Sequence, residues 1–334
     1  MTHRVPRPAS RIPTSLIVDP VVPRPSLADV YAARDRLRGV AVRTPLLPLH
    51  EHPSIRLKPE LLQPMGSFKV RGVYNALAAM SDAQRARGVT ILSSGNAAQA
   101  LAWSARRLGV VRVRAIMPAN APRTKVDAFR ALGGEVELRD PEHVWDMLLD
   151  RSYVNVPGIF IHPTANPHVV AGYGAIALES LEDLPDVATI YVPVGGGGLL
   201  AGIANVVATL APRVRVVGVQ PSGCAPIIAG VAAGEPVATT CETFCDGVAG
   251  TFMDPDTWPL LRDLAGQIDW VTVDDDATRA AIRRLAMGNK VVAEGAGALA
   301  LAAALEAEHR GQVVAILSGG SIDPEMLTKA LREI

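Results

Sequence analysis

The stretch VATIYVPVGGGGLLAGIANVVATLAP, residues 187–212, carries no charged side chain. A run of that length is either a membrane span or a deeply buried part of a globular fold. Pro193 and the glycines 195–198 cut it in two, which argues against one span. Its first half is β-branched and its second half is rich in Ala, Leu and Val. That order predicts a buried strand, a tight loop and a helix. The pattern recurs. Residues 89–95, 111–118, 214–221 and 313–320 read as further buried strands, and 97–109 and 199–211 as helices. Alternating β and α units predict an α/β fold with open, mostly parallel, twisted sheets and helices on both faces. In such folds ligands sit at the carboxyl ends of strands. Three of the predicted strand ends carry small-residue clusters: Ser93-Ser94-Gly95-Asn96, Gly195 to Gly198, and Ser318-Gly319-Gly320-Ser321.

Charge and composition remove several functions. Lys+Arg and Asp+Glu each number 33, so the chain has no net charge with which to hold a polyanion. The longest basic run is Arg106-Arg107, and aromatics at 4% are too few for a base-stacking surface, so no nucleic-acid partner is expected. The first twenty residues lack the apolar core of a signal peptide, and residues 1–25 read as an extended, Pro-rich arm. Cys224, Cys241 and Cys245 are an odd set that does not read as a disulfide framework, so a reducing cytoplasm is the expectation. Cys241 and Cys245 have helix spacing, but no second Cys/His pair nearby completes a zinc site.

The glycine run lets several backbone N–H groups converge in front of a helix N-terminus, which suits a phosphate. Leu199 follows where a Walker loop needs Lys and Ser/Thr, and neither glycine register fits a dinucleotide loop. A tight packing turn is the bland alternative. The SSGN cluster also has two readings. It is a helix cap worth roughly 1 kcal/mol, or a set of donors for a carboxylate or ring oxygen. Lys69, between Phe68 and Val70, is either a snorkelling surface lysine or an amine stripped of water. In the second case its pKa falls, and a neutral amine can condense with an aldehyde. A phosphate cradle with such a lysine, and no second nucleophile, suggests pyridoxal phosphate (PLP).

The motifs GSFKVRGVYNAL, SSGNAAQALA, AGYGAIALE, VPVGGGGLLAGIA, VVGVQP, CDGVAG and LSGGSID follow one another as they do in the threonine/serine dehydratase and serine racemase family. From about residue 25 onward the chain resembles these fold-type II PLP enzymes, which are of the tryptophan synthase β-subunit type. The resemblance implies a PLP-dependent lyase that takes water, then ammonia, from a 3-hydroxy amino acid. It implies that Lys69 bonds the cofactor and moves the substrate's α-proton, with Ser94 as a second acid/base on the other ring face. Phe68, Asn96, Gly195, Gly196, Gly197, Gly198 and Ser318 would hold the cofactor. Ser93, Ser94, Gly95, Ala97 and Tyr173 would meet the amino-acid substrate. A large domain of residues 1–85 and 158–334 and a small mobile one of 86–157 are implied, as is a homodimer.

The chain departs from the family pattern on the substrate side. Ala97 replaces the usual His, Tyr173 a Gln, and the loop HPTANP lacks the family's acidic or Gln-rich version. These changes predict a shifted substrate. Gln220 and Pro226 stand where the racemase keeps carboxylates for a divalent ion, so no tightly bound Mg²⁺ or Ca²⁺ is expected there. The rival readings are a racemase or β-replacement enzyme on the same scaffold, and a catalytically silent PLP-binding protein.

Overall fold

The computed structural model describes residues 23–332. Most of the expected N-terminal arm lies outside them. Ten strands form two sheets: β1 (Leu47–Leu49), β2 (His52–Lys58), β3 (Val89–Leu92), β4 (Val113–Pro118), β5 (Glu135–Arg139), β6 (Ile159–Phe160), β7 (Val187–Pro193), β8 (Arg215–Pro221), β9 (Ile268–Val273) and β10 (Gln312–Ile316). The first sheet has the order β1-β2-β10-β7-β8-β9, and the second β5-β4-β3-β6. Every pair is parallel except β1/β2. This is the α/β architecture that the alternation predicts. The uncharged run 187–212 becomes β7, the glycine loop and the helix Gly198–Leu210. No helix among the described residues is long and apolar enough to cross a membrane.

The strand orders explain why the clusters converge. In the first sheet the chain leaves β7 towards β8 on one side, and β10 later fills the other side. A reversal of this kind opens a crevice beyond the carboxyl ends of the two strands. Those ends are the glycine loop and Ser318. In the second sheet the reversal lies at β3, whose end is SSGN. One apolar core cluster runs through both sheets, containing Val89 and Ile91 of β3 as well as Ile190 and Val192 of β7.

Two features are invisible in the sequence pattern. Lys58, Glu60, Arg71 and Glu179 are all buried and form one charge network. Arg71 bonds Glu60 at 2.7 Å and Glu179 at 2.7 Å, and Lys58 bonds Glu179 at 2.6 Å. This network anchors the first turn of the helix Lys69–Ala78. The second feature corrects an expectation: Cys224 and Cys241 are joined in a disulfide, and only Cys245 is free. Cys241 and Cys245 lie in irregular chain rather than on a helix. An odd count argued against a framework of bridges, but one bridge needs only two sulfurs brought together in space.

Candidate active site

Lys69 is the first residue of the helix Lys69–Ala78. The residues before it are stitched to the segment that follows β10. Phe68 N–H donates to the Ser318 carbonyl at 3.0 Å, and Gly320 N–H to the Gly66 carbonyl at 2.9 Å. A single bridge pairs Ser67 with Gly319. This pairing, across some 250 residues of sequence, brings Lys69 and Ser318 to one cavity of about 970 Å³. Such a volume lies at the roomy end of ligand sites, about 300–1,000 Å³. Phe68, Ser93, Ser94, Gly95, Asn96, Ala97 and all four glycines of the loop line the same space.

Lys69 Nζ makes no hydrogen bond among the described residues. It lies 4.7 Å from the centre of the Phe68 ring and 5.9 Å from that of Tyr173. Burial pulls its pKa from 10.5 to about 8, against a smaller upward pull from the Glu294 carboxylate. An amine held this way supplies a neutral nucleophile near neutral pH.

Both anion-site readings gain support from the helix ends. The helix Asn96–Arg107 starts after Gly95, and no side chain caps it. The cap reading of SSGN is therefore not what the structure contains. Ser93 Oγ instead accepts from Gly95 N–H at 3.2 Å, shaping the loop. The helix Gly198–Leu210 likewise starts after Gly197 with no side-chain cap. Among the described residues the N–H groups of Gly195, Gly196 and Gly197 reach no acceptor. Two helix N-termini thus present free donors to one cavity.

The glycine loop is propped from behind. A Cβ on Gly196 would lie 2.7 Å from Thr164 Cγ2, and one on Gly198 would lie 2.7 Å from the Thr164 carbonyl oxygen. Gly197 has φ +88°, which disfavours any side chain. The loop must stay bare to turn its amides inward, and a packing turn alone does not explain the free donors.

Glu294 is the main residue that sequence reasoning missed. It lies in the cavity wall, buried, one residue before the helix Gly295–Glu306. Asn96 Nδ2 donates to its Oε1 at 3.0 Å. Burial, with help from the negative charge of Asp246, pushes its pKa from 4.5 to about 7; Asn96, Lys125 and Lys69 pull the other way. A Cβ on Gly319 would come within 2.3 Å of the Glu294 carboxylate, so that glycine makes room for the acid. One signal existed: Glu294 is the only charge between Lys290 and Glu306. An acid alone in such a run needs a reason. Lys125 and Asp246, also unremarked in the sequence, pair at 2.6 Å at the cavity edge.

Other singled-out residues fall elsewhere. Tyr173 does not line the cavity. It packs behind Phe68, with ring centres 4.7 Å apart, and its hydroxyl donates to the Pro163 carbonyl. The substitution therefore supports the Phe68 ring instead of meeting substrate. Gln220 is fully buried, and its Oε1 accepts from Ile227 and Ile228 N–H at 3.1 and 3.0 Å, capping the helix Pro226–Ala233. A separate group, His162, Asp254 and Asp256, brings possible metal ligands within 4.8 Å of one another. His162 Nδ1 accepts from Ala165 N–H at 3.0 Å, which leaves the ring proton on Nε2, facing Asp254 at 3.2 Å. Arg151 and Tyr153 bond Asp256. Thr164 Oγ1 donates to Asp254 at 3.4 Å, so this group lies behind the residue that props the glycine loop.

The cavity fits a phosphorylated aldehyde. It offers one unbonded amine, a bare cradle with three free amides, a second set of free amides, and an amide side chain already oriented by Glu294.

The model of the family described as "Pyridoxal-phosphate dependent enzyme" matches residues 37–319. The chain is 37% identical to the L-threonine ammonia-lyase of Thermotoga maritima over 319 residues, covering 92% of this chain and 78% of that protein. It is 37% identical to the catabolic L-threonine dehydratase TdcB of Escherichia coli over 311 residues, 89% of this chain and 93% of that one. Among solved structures, maize serine racemase superposes with a TM-score of 0.82 at 30% identity, covering 92% of this chain and 97% of that chain.

Proposed function

Because the chain belongs to the pyridoxal-phosphate dependent enzyme family, we propose that it converts a 3-hydroxy amino acid to a 2-oxo acid and ammonia, through loss of one water that a later hydrolysis restores. One observation carries this reading. Two uncapped helix N-termini and an unbonded lysine amine share one cavity. An amino acid joined to a phosphorylated cofactor has an anionic group at each end and a reacting carbon between them.

Bound PLP supplies an electron sink for the pair of electrons left when the α-proton departs. The protein's part is positional and protolytic. Gly195, Gly196 and Gly197 would hold the phosphate through their free N–H groups, and Phe68, backed by Tyr173, would pack on the ring. Asn96, held by Glu294, would direct its amide to the ring oxygen. Ser318 would offer the ring nitrogen a hydroxyl rather than a carboxylate. Its Oγ now donates to the Ala296 carbonyl at 3.2 Å. Ser93, Ser94 and the first-turn amides would bind the substrate carboxylate. Lys69 would take the α-proton, and its pKa of about 8 suits an amine that must both accept and return a proton. Loss of the β-hydroxyl, followed by hydrolysis of the enamine off the enzyme, completes the balance: water enters once and leaves once.

Residues 86–157, with β6 just beyond them, would form a small mobile unit that closes over substrate and excludes water. The Lys125–Asp246 pair spans that closure. A homodimer in the cytoplasm is the proposed setting. Ala97 and Thr164 line the cavity where the family differs, which supports an amino acid other than threonine as the preferred substrate. Racemisation is the second reading, favoured by Ser94 in the cavity wall and by the likeness to serine racemase. The test is a panel of 3-hydroxy amino acids scored for ammonia and 2-oxo acid, with chirality measured on recovered substrate. Lys69→Ala should abolish every product. Turnover by that variant would sink the proposal. L-threonine turned over as well as any bulkier or more polar analogue would remove the substrate shift alone.

A further inference from the structure

We propose that the Cys224–Cys241 disulfide is a thiol-exchange site that sets how tightly the cavity holds its substrate, taking small thiols of the glutathione class. The observation is the path of the chain between Ala238 and Phe252. These two residues pair in a single bridge. Thr239 N–H donates to the Thr251 carbonyl at 2.7 Å, so the segment between them is a closed loop. Its only regular piece is the short turn Asp246–Val248. Phe244, Asp246, Gly247, Val248 and Gly250 of this loop line the cavity that holds Lys69. A loop without a helix or strand of its own keeps its shape only through ties to its surroundings.

The disulfide is the covalent tie. Cys224 follows β8 by three residues and is wholly buried, and Cys241 lies near the start of the loop. The bridge reaches the cavity lining directly. Gly250 N–H donates to Cys224 Sγ at 3.4 Å, and the Gly250 carbonyl oxygen lies 3.2 Å from the same sulfur. The other ties at this end are hydrogen bonds: Glu242 N–H donates to the Gly223 carbonyl at 2.9 Å, and Thr243 Oγ1 and Phe244 N–H donate to the Asp275 carboxylate at 2.6 and 3.1 Å. Opening the bridge therefore loosens the wall first at Gly250, the cavity-lining residue that touches the bridge sulfur.

The two sulfurs differ in a way that permits exchange. Cys241 is partly exposed, whereas Cys224 is not. An external thiolate attacks Cys241 Sγ and forms a mixed disulfide, and the S–S bond breaks with its electron pair leaving on Cys224. That sulfur then takes a proton. A second external thiolate attacks the external sulfur of the mixed disulfide and releases Cys241. Two external thiols are oxidised to one disulfide, and the protein gains two thiols. Cys245 does not compete: it is buried, and burial pushes its thiol pKa up to about 12, so it supplies no thiolate. In compartments rich in reduced glutathione, bridges that do form are generally of this exchangeable kind.

The activity arm of the test rests on the function proposed above, and a thiol count and a proteolysis arm stand apart from it. The PLP-loaded full chain is equilibrated with reduced or oxidised glutathione, then denatured and alkylated. One free cysteine in the oxidised protein and three in the reduced protein are expected. KM for L-threonine, or for the best substrate of the panel, should rise about three- to tenfold on reduction, with kcat changing less. Cys241→Ser should have the reduced protein's KM in both buffers. Limited proteolysis should cut between residues 238 and 252 severalfold faster after reduction and in Cys241→Ser. Three free cysteines under excess oxidised glutathione would overturn the proposal, as would equal KM in both buffers. If no 3-hydroxy amino acid is turned over, the proposed function fails. Equal cutting rates in the two states would then overturn the exchange site by itself, and unequal rates would support it.

Discussion

Replacing Lys69 by methionine should stabilise the protein stripped of cofactor, and by an amount the structure sets. Methionine matches the lysine stem and carries no charge. In the folded chain burial lowers the amine's pKa from 10.5 to about 8, which corresponds to about 3 kcal/mol of lost ammonium solvation. The sign follows from where protons sit. Below about pH 8 the amine is charged whether the chain is folded or not, and the whole cost is present. Between about 8 and 10.5 the folded chain releases the proton and the unfolded chain keeps it, so wild-type stability climbs with pH. Above 10.5 both forms are neutral and the cost has gone. Lys69→Met lacks this titration. Urea denaturation of both apoproteins between pH 7 and 10.5 should therefore show the variant ahead by about 3 kcal/mol at pH 7, with the gap closing towards pH 10.5. A gap of constant size across that range would mean that the methionine merely packs better, and would refute the desolvated amine on which the site chemistry depends.

Glu294→Gln should remove the opposite trend. The folded carboxyl, raised to about 7, keeps its proton between pH 4.5 and 7 while the unfolded one gives it up, so wild-type stability falls with pH over that window. The variant should lack that fall, ahead by about 3 kcal/mol at pH 8 in urea titrations of the apoprotein. It should also lower the Lys69 pKa, read as faster modification of that amine near pH 7. Gly198→Ala would drive a Cβ to within 2.7 Å of a backbone oxygen, whereas Gly95→Ala meets nothing within 4 Å. The first should cost about 1–3 kcal/mol and at least about tenfold in PLP affinity, and the second should leave melting temperature nearly unchanged. Arg71→Ala would strand Glu60 in the core without its paired cation and leave Glu179 to Lys58 alone, lowering stability in denaturant titrations by about 3–5 kcal/mol.

Much of the site was legible because its chemistry sits at strand ends, and strand ends are marked locally. β-branched runs announce β3, β7 and β10, and the small polar clusters follow each within a few residues. Lys69 was readable because an amine flanked by Phe68 and Val70 invites a question about solvent. Glu294 was harder to read, since its role depends on Asn96 standing 3.0 Å away, 198 residues earlier in the chain. Tyr173 misled for the same reason. Its helical neighbours do not say whether a side chain faces a cavity or backs a ring that does.

Residue order alone determined the alternation of strands and helices, the bare loop after β7, the lysine ahead of its helix, and so the class of fold and cofactor. These depend on periodicity and on backbone freedom, which act over a few residues. Tertiary structure alone decided that two uncapped helix ends face one cavity, that Glu294 orients Asn96, that four buried charges neutralise one another, and that Cys224 meets Cys241. Each is an encounter between distant segments, set by sheet order and crossover. Electrostatics and covalent pairing depend on distance in space, which a linear pattern does not encode.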